Sequence, residues 1–523
     1  MNYKNQIVIL VFFLLNTSLF SQQKYWVFLT DKDNTSFSPK DYFDPKAIGR
    51  RIKNGVPIDD ISDYPLNQNY IHKISEIVDS VGFQSRWFNA VLIWADENQL
   101  SKIKNLNFVK KTQAEVLIPQ LTNYKTIKSH NLNIDFWNIR NKQISSLEGQ
   151  LFAPLKIDGK GVRIAIFDGG FPRVDKDSAF IHINTKNRII STFDFSKNKE
   201  FVYYSNTHGT MVLSNIAGVY ENEKLGLATS AEFLLAKTEI ATEPLAEEEY
   251  WLAAVEWADK NGADIINSSL GYGVERYFRE QMDGTSLISR AANMAFDKGI
   301  LVVNAAGNEG ELKYWKYIGA PADASHVLSV GGIDPYTDYH ISFSSYGPTA
   351  DGRMKPNVSA MGEVVVVSKN GAEIAQGTSF ASPLVAGFAA CVLQIHPQYT
   401  AQQLFDEIQK SASLYPYFDY AHGYGIPKAS YFTQKKRSPI VATFQFRKKH
   451  QKLLVKILEY IPSKIGQKEY LYYHISKADG FLKDYGLIDV YQQNALEIDL
   501  SNYIKGDIVR VFYKGYVSEF IIQ

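Results

Sequence analysis

Short apolar runs alternate with longer amphipathic stretches through the middle of the chain. Helical periodicity at residues 247–261 and 286–298 separates apolar runs at residues 162–167, 231–236, 263–267, 300–303 and 327–330. Because a strand buried on both faces is a continuous apolar run, this alternation is typical of a parallel sheet covered by helices. The pattern predicts an α/β domain over residues 155–434.

The residues before this domain follow a different pattern. Helical periodicity at residues 69–81 and 97–104 alternates with strand-like runs at 25–29, 88–94 and 108–112. This order is typical of a split βαβ unit and predicts a small α+β domain over residues 22–125. Residues 126–154 are polar with few periodic apolar positions, which predicts an exposed linker where the chain can be cleaved.

After Pro439 the pattern changes again, to short strands separated by turn residues. The predicted strands are residues 440–446, 453–458, 469–475, 486–491, 495–500, 507–513 and 517–522. Several short strands at regular spacing are typical of a β-sandwich. The third predicted domain therefore covers residues 435–523.

Composition and the N-terminus narrow the class of protein. Lys4, the apolar run 7–15 and the stretch 16–21 form the pattern of a secretory signal peptide over residues 1–21, and the apolar run is too short to span a bilayer. Lys and Arg number 56 against 55 Asp and Glu, so charge gives no reason to expect nucleic acid or an anionic membrane as partner. The single cysteine, Cys391, excludes an intrachain disulfide and is expected in the core. We expect an exported protein without a transmembrane segment.

Three polar residues stand at positions where a serine nucleophile could be assembled. Asp168 directly follows the predicted strand 162–167, His208 opens a run of small and apolar residues, and Ser379 follows Gly377 and Thr378 at the start of an apolar helical stretch. Asp, His and Ser in this chain order are the parts of a catalytic triad, in which the carboxylate orients the imidazole and the imidazole takes the serine proton.

Two further features support this chemistry. A serine at a helix N-terminus lies at the positive end of the helix dipole, and its own N–H can donate to an oxyanion. Asn308 follows the apolar run 300–303 and offers a side-chain amide as a second donor. Taken singly, Ser379 could be a helix N-cap and Asn308 a turn residue.

Together these motifs resemble the subtilisin-like serine peptidases, the subtilases. The resemblance implies a subtilisin-like parallel sheet and makes residues 22–125 the inhibitory propeptide. It also implies that one segment pairs with the substrate backbone and walls the main specificity pocket, and that a second segment forms the opposite wall. The first segment is Ser268, Ser269, Leu270 and Gly271, and the second is Ala305, Ala306 and Gly307. Since neither wall carries charge, we expect an uncharged, apolar side chain before the scissile bond.

The resemblance is incomplete at several positions. Gly169 stands where the family usually has Ser or Thr, Asn357 where it usually has Asp, and Met361 where proline is common. None of these departures removes a catalytic group. The last strands also weakly resemble the sorting domains of bacterial type IX secretion, with an ordinary stabilising β-domain as the alternative.

The chemistry requires no cofactor and no metal. Many subtilases bind structural calcium, and residues 31–34 begin like a calcium loop, but Ser36 and Tyr42 occupy its sixth and twelfth positions. The sequence therefore assigns no metal ligands and leaves structural calcium open.

The sequence predicts a secreted serine endopeptidase made as a zymogen, with protein or peptide substrates and its own propeptide as inhibitor. Two alternatives remain at this point. One is a catalytically silent surface binding or adhesion protein on the same fold, and the other is a narrow-specificity maturation protease or peptide ligase that uses the same residues.

Overall fold

A computed structural model describes residues 22–115, 135–240, 246–274, 276–434, 440–458, 469–490 and 494–523. The chain divides into two compact units, the first with residues 1–36 and 61–116 and the second with residues 37–60 and 117–523. The predicted signal peptide, residues 1–21, lies outside the described residues.

The helices of the described residues are α1 (Pro39–Tyr42), α2 (Pro45–Lys53), α3 (Gln68–Ser75), α4 (Glu97–Lys104), α5 (Asp135–Ser145), α6 (Ile181–Asn184), α7 (His208–Ala217), α8 (Ala246–Lys260), α9 (Leu287–Asp297), α10 (Thr378–Ile395), α11 (Ala401–Lys410) and α12 (Ser430–Thr433). The strands of the first unit are β1 (Gln23–Leu29), β2 (Ser80–Ser85), β3 (Ala90–Ala95) and β4 (Val109–Ala114). The strands of the catalytic domain are β5 (Arg163–Asp168), β6 (Ile189–Asp194), β7 (Val219–Tyr220), β8 (Glu223–Lys224), β9 (Glu232–Lys237), β10 (Ile265–Ser268), β11 (Leu301–Ala305), β12 (Val327–Ile333), β13 (Val358–Met361), β14 (Glu363–Ser368) and β15 (Gly371–Gln376). The C-terminal strands are β16 (Phe444–Lys449), β17 (Lys452–Ile457), β18 (Tyr470–Ser476), β19 (Leu482–Asp489), β20 (Ala495–Asp499), β21 (Ile508–Tyr513) and β22 (Tyr516–Ile521).

The first unit is a four-stranded antiparallel sheet in the order β2-β3-β1-β4, with α3 and α4 packed on it. Alternate residues of β1 and β3, among them Val27, Val91 and Ile93, meet Ile74 of α3 and Ile103 of α4 in a core that excludes water. This arrangement confirms a small α+β domain before the catalytic domain. The helix predicted over residues 69–81 ends at Ser75, and the residues after it turn into β2.

The second unit is built on a seven-stranded parallel sheet in the order β13-β12-β11-β10-β5-β9-β6. Every residue of the central strands β5, β10 and β11 is buried, which confirms the predicted sheet with helices over it. The apolar helix α10 crosses this sheet and contributes most of its side chains to the main core, Cys391 among them. Among the described residues, α10 alone is long and apolar enough to cross a membrane, and 83% of it is buried inside the protein, as expected of a core helix.

The stretch predicted as an exposed linker is in large part folded. Its residues from Asp135 form α5 and two short 3-10 turns, and Ile139, Leu147 and Phe152 are buried in the main core. Several apolar side chains of this stretch, although irregularly spaced, therefore pack into the main core where the sequence predicted exposure. These residues precede the predicted start of the catalytic domain at residue 155 and pack against it.

The C-terminal residues form two antiparallel sheets, β16-β17-β20 and β19-β18-β21-β22. Inward-facing residues of both sheets share one apolar core that includes Leu453, Val455, Leu471, Ile475 and Val509. The predicted strand-rich C-terminal domain is confirmed.

Candidate active site

Asp168 and His208 meet at the carboxyl end of the central strand β5. Asp168 is the last residue of β5 and is fully buried, and both of its carboxylate oxygens lie 3.0 Å from Nδ1 of His208. The backbone N–H of Gly169 donates to the same carboxylate over 2.7 Å. Because a carboxylate only accepts, it fixes the proton of the imidazole on Nδ1 and leaves Nε2 as the free base.

The close approach of α7 to β5 depends on the residue after His208. A Cβ on Gly209 would lie 2.4 Å from the carbonyl oxygen of Gly170 and 3.0 Å from Cβ of Asp168. The first contact, to a backbone atom, is sterically forbidden, so glycine lets the first turn of α7 bring the imidazole against the carboxylate. His208 is the first residue of α7, and 27% of its side chain is exposed.

The electrostatics of this pair favour an imidazole that accepts a proton readily. Burial opposes the charge on His208, but the charge of Asp168 and the hydrogen bond to it outweigh burial, so the pKa of His208 lies above its ordinary value. A base of this kind can take a proton from a neighbouring hydroxyl and hold it.

Ser379 lies at the start of α10, half-buried, in the first turn of the helix. Its hydroxyl donates to the carbonyl of Ser269 over 2.9 Å, and the Ser269 hydroxyl donates to the carbonyl of Ser379 over 2.7 Å. The next residue, Phe380, brings its ring to 5.4 Å from the His208 ring, centroid to centroid. The structure therefore brings the N-terminus of α10 to the Asp168–His208 pair.

Asn308 follows β11 and is exposed at its carboxyl end. Its Oδ1 accepts from the backbone N–H of Thr378 over 2.9 Å and lies 3.0 Å from the Thr378 hydroxyl. With Oδ1 held on Thr378, the side-chain NH₂ is left as a donor beside the N-terminus of α10.

The two predicted substrate-binding segments end neighbouring parallel strands. Ser268 of β10 pairs in register with Asn304 of β11. The side-chain amide of buried Asn304 donates to the carbonyls of Leu270 and Ala305, both over 2.8 Å, and so fixes the spacing of the two segments. Of the predicted residues, Ser268, Ser269, Leu270, Ala305 and Ala306 are buried, Gly307 is half-buried and Gly271 is exposed.

One charged side chain lies beside these walls. The carboxylate of Glu309 accepts from the hydroxyl of Ser345 over 2.6 Å, and it fills the space that a Cβ on Gly307 would occupy, 2.3 Å from that position. The sequence prediction of two uncharged walls did not include Glu309, the neighbour of Asn308.

A chain of hydrogen bonds that sequence reasoning missed holds α10 against the sheet. Ser382 donates to Asn267 over 2.9 Å, Asn267 donates to the Ser269 hydroxyl over 3.1 Å, and that hydroxyl donates to Ser379. The available signal was a fully buried asparagine in the apolar strand β10. Buried amides need partners, so such a residue points to a polar site at the strand end.

The described residues offer no assembled metal site. Among them, no group of three or more His, Cys, Asp or Glu side chains is placed to hold a metal ion. At the candidate calcium loop, Asp31 accepts from Thr30, Asp33 and Tyr70 of its own unit.

Comparisons with known proteins find relatives for two parts of this chain. The subtilase family model matches residues 159–425, and the model of the peptidase S8 propeptide domain of Bacteroidota matches residues 24–131. Subtilisin DY of Bacillus licheniformis is 30% identical over 256 residues, which cover 49% of this chain and 85% of that protein. A thermostable alkaline protease of Halalkalibacterium halodurans is 32% identical over 262 residues, which cover 49% of this chain and 63% of that protein. A solved structure of a cold adapted subtilisin-like serine proteinase is 24% identical, with a TM-score of 0.41, and the match covers 52% of this chain and 88% of the other.

Proposed function

Because the chain belongs to the subtilase family of serine endopeptidases, we propose that it hydrolyses peptide bonds through a triad of Asp168, His208 and Ser379. The observation that carries the proposal is the buried carboxylate of Asp168, hydrogen bonded to Nδ1 of His208 beside the N-terminus of α10. Such a pair supplies the base that a serine nucleophile needs.

In the proposed reaction, Oγ of Ser379 leaves the Ser269 carbonyl, donates to Nε2 of His208 and attacks the carbonyl carbon of the scissile bond. The Oγ proton passes to Nε2, and the imidazolium that forms is stabilised by Asp168. His208 then gives this proton to the amine nitrogen, the C–N bond breaks, and an acyl ester remains on Ser379. A water molecule next gives its proton to His208 and attacks the ester, and the same proton returns to Oγ as the acid leaves.

The negative charge on the carbonyl oxygen would be held by two donors. One is the side-chain NH₂ of Asn308, which Thr378 orients through Oδ1, and the other is the backbone N–H of Ser379 in the first turn of α10. Donors that are fixed before the reaction stabilise charge as it develops without the cost of reorienting solvent.

The substrate would lie extended along the segment 268–271 and place one side chain between this segment and the segment 305–307. An extended peptide can add as a strand to an exposed sheet edge, as other peptide-binding proteins allow. Leu270, Ala305 and Ala306 give this space an apolar lining, so we propose that the side chain before the scissile bond is uncharged and apolar. A peptide-library profile dominated by Lys, Arg, Asp or Glu at that position would overturn this proposal.

We propose that the protein is secreted and made as a zymogen. Support comes from the signal-like residues 1–21 and from the propeptide domain matched over residues 24–131. In this proposal the propeptide covers the substrate site until the chain is cut between β4 and α5. The variant Ser379→Ala should then accumulate as uncut precursor, and normal processing of that variant would argue against self-cleavage.

The direct test is labelling with a fluorophosphonate probe, which reacts with an activated serine. Wild-type protein that has been processed should be labelled, and Ser379→Ala should not. Ser501→Ala removes an exposed serine of the C-terminal domain and serves as a control that should still be labelled. Processed wild-type protein that resists the probe would contradict the proposed triad.

A further inference from the structure

Residues 37–60, here called the anchor segment, belong to the propeptide by sequence but not by contact. They lie within the range matched by the propeptide domain, residues 24–131, yet they group with the unit that contains the catalytic domain. The segment consists of α1, α2 and the turns around them, and it joins the propeptide sheet at both of its ends. Its contacts with the catalytic domain are contacts within one compact unit.

The centre of the contact is a buried group of three charges. Arg50 and Arg51 on α2 are 3% and 0% exposed, and Asp259, near the end of α8, is 1% exposed. One carboxylate oxygen of Asp259 accepts from Arg50 and the other accepts from Arg51. Arg50 also donates to the backbone carbonyls of Ala263 over 2.5 Å and Lys298 over 3.2 Å. A buried carboxylate shared by two guanidinium groups has a specific geometry, unlike a chance contact at the surface.

Further ion pairs surround this centre. Asp44, the N-cap of α2, lies 3.0 Å from Arg163, and its backbone N–H donates to the carbonyl of Lys260 over 2.9 Å. Lys46 lies 2.9 Å from Asp264. Opposite charges thus meet at several points along α2, each with its partner on the catalytic domain.

Two glycines of the catalytic domain lie where any side chain would crowd the anchor segment. A Cβ on Gly262 would lie 3.0 Å from the backbone nitrogen of Ala47, and one on Gly299 would lie 2.5 Å from the side chain of Asn54. The side chain of Asn54 in turn accepts from the backbone N–H of Ala401 over 2.8 Å and so caps the start of α11. The segment therefore completes the catalytic domain as well as resting on it.

This contact lies at the end of the sheet remote from the candidate active site. Arg163 is the first residue of β5, while Ala263 and Lys298 come just before β10 and β11. Asp168 is the last residue of β5, five positions beyond Arg163 and about 16 Å from it along the strand. The anchor segment therefore does not touch the catalytic groups and cannot block the cleft itself.

We propose that this edge of the sheet is a second docking surface for the propeptide, and that it keeps the propeptide bound after the chain is cut between β4 and α5. The proposal rests on the proposed function in taking residues 22–115 as a propeptide that is cut. A fragment held at a remote site stays at high effective concentration, so it rebinds the cleft more often than it leaves.

The test uses the full chain and does not depend on its activity. A recognition sequence for a site-specific protease is inserted at residues 120–125 of the Ser379→Ala chain, the purified chain is cut, and the product is diluted to nanomolar concentration before size-exclusion chromatography. We expect the N-terminal fragment to elute with the catalytic unit. We also expect amides of α2 to stay protected from hydrogen exchange after the cut.

The variant Arg51→Met removes one charge of the buried group around Asp259 and should speed release of the fragment by about 100-fold, since breaking a buried ion pair is strongly destabilising. Arg510→Met is the matched control, because Arg510 pairs with Glu519 on the C-terminal sheet, and it should leave the release rate unchanged. Lys46→Ala removes a partly exposed ion pair and should speed release less than Arg51→Met. If Arg51→Met does not fold, faster release of the fragment from Lys46→Ala than from the parent chain supports the proposal, and an unchanged rate contradicts it.

Loss of the fragment from the cut parent chain during chromatography would overturn the proposal. So would exchange of the α2 amides while the fragment stays bound, because the propeptide sheet alone would then be holding it. Since an external protease makes the cut, these results stand whether or not the chain proves to be a peptidase, and fluorophosphonate labelling reports on that question separately.

Discussion

At the residue scale, the Asp168–His208 pair sets the pH range in which the proposed base works. The buried carboxylate raises the pKa of His208 in spite of the burial of the imidazole. Catalysis needs the neutral imidazole, so kcat/KM should rise with pH through a midpoint above the ordinary histidine value of about 6.5. Replacing Asp168 by Asn removes the charge that raises the pKa, and the midpoint should fall.

This shift can be measured without turnover by NMR titration of His208. The Ser379→Ala chain should give a midpoint above the ordinary value, and Ser379→Ala with Asp168→Asn a lower one. Ser379→Ala with Asp175→Asn is the control, since Asp175 is a carboxylate outside the pair, and its midpoint should match that of Ser379→Ala. Equal midpoints in the Asp168 and Asp175 variants would contradict the assigned role of Asp168.

Asn308 and Thr378 test the proposed oxyanion donors. In subtilisin, loss of the corresponding asparagine lowers kcat by about 10²–10³-fold, and we expect Asn308→Ala to fall in the same range with little change in KM. Thr378→Val should lower kcat less, because it removes the hydroxyl from Asn308 Oδ1 but keeps the backbone N–H bond. Steady-state kinetics check both, and Thr378→Ser should restore activity. A rise in KM at constant kcat would instead assign these residues to substrate binding.

The residues proposed to carry chemistry could be named from the sequence, but the residues that orient them could not. Asp168 ends a strand, Asn308 follows one, and His208 and Ser379 lie in the first turn of a helix, positions at which local pattern and chemistry coincide. Asn267 and Ser382 are 115 residues apart, and their hydrogen bond exists only because β10 and α10 pack together. A pattern along the chain carries no information on such a contact.

At the scale of elements, the sequence predicted buried strands and missed those at the edges. The central strands β5, β9, β10, β11 and β12 are apolar runs because both of their faces are covered. The edge strand β6, by contrast, is only partly buried over most of its length and carries Ser191 and Thr192. At this edge the strand faces solvent and loses the continuous apolar pattern. Exposure does not account for β13 at the other edge, which is fully buried.

The packing of helix α5 could not be predicted from an apolar pattern either, because a buried polar residue holds this helix in place. Gln143 is fully buried, donates to the carbonyl of Leu225 over 2.7 Å and accepts from the backbone N–H of Val365 over 2.9 Å. Gln143→Leu leaves both backbone groups without this partner, and we expect the free energy of unfolding to fall by about 1–3 kcal/mol.

Urea denaturation measures this loss. Gln402→Leu makes the same chemical change on exposed Gln402 of α11 and should change stability far less. If both variants were equally stable, residues 135–145 would be an exposed linker after all, as the sequence pattern indicated.

At the scale of the whole molecule, the C-terminal sheets pack on the catalytic domain through a layer of aromatic and histidine side chains. Tyr417, fully buried, contacts Phe512, and its ring lies 5.0 Å from that of His474, centroid to centroid. His474 is 1% exposed, and its Nδ1 lies 2.6 Å from the carbonyl of Phe418, so Nδ1 carries the proton and donates. Packing of this kind joins the C-terminal sheets to the catalytic domain within one compact unit.

Burial lowers the pKa of His474 to about 4 in the folded protein, against about 6.5 in an unfolded chain. Between these values the unfolded chain binds a proton that the folded one does not, so the contribution of His474 to stability is complete above pH 6.5 and declines as the pH falls toward 4. Each pH unit in this window lowers the free energy of unfolding by about 1.4 kcal/mol, or by about 2 kcal/mol between pH 6.5 and 5.

His474→Asn can keep a donor for the Phe418 carbonyl but does not titrate. On acidification we therefore expect its free energy of unfolding to fall less than that of the parent chain, by this amount. Urea denaturation at pH 7 and pH 5 measures the difference, with exposed His450→Asn as the control that should behave like the parent chain. An acid loss in His474→Asn as large as that of the parent would show that His474 is not the group through which acid weakens this junction.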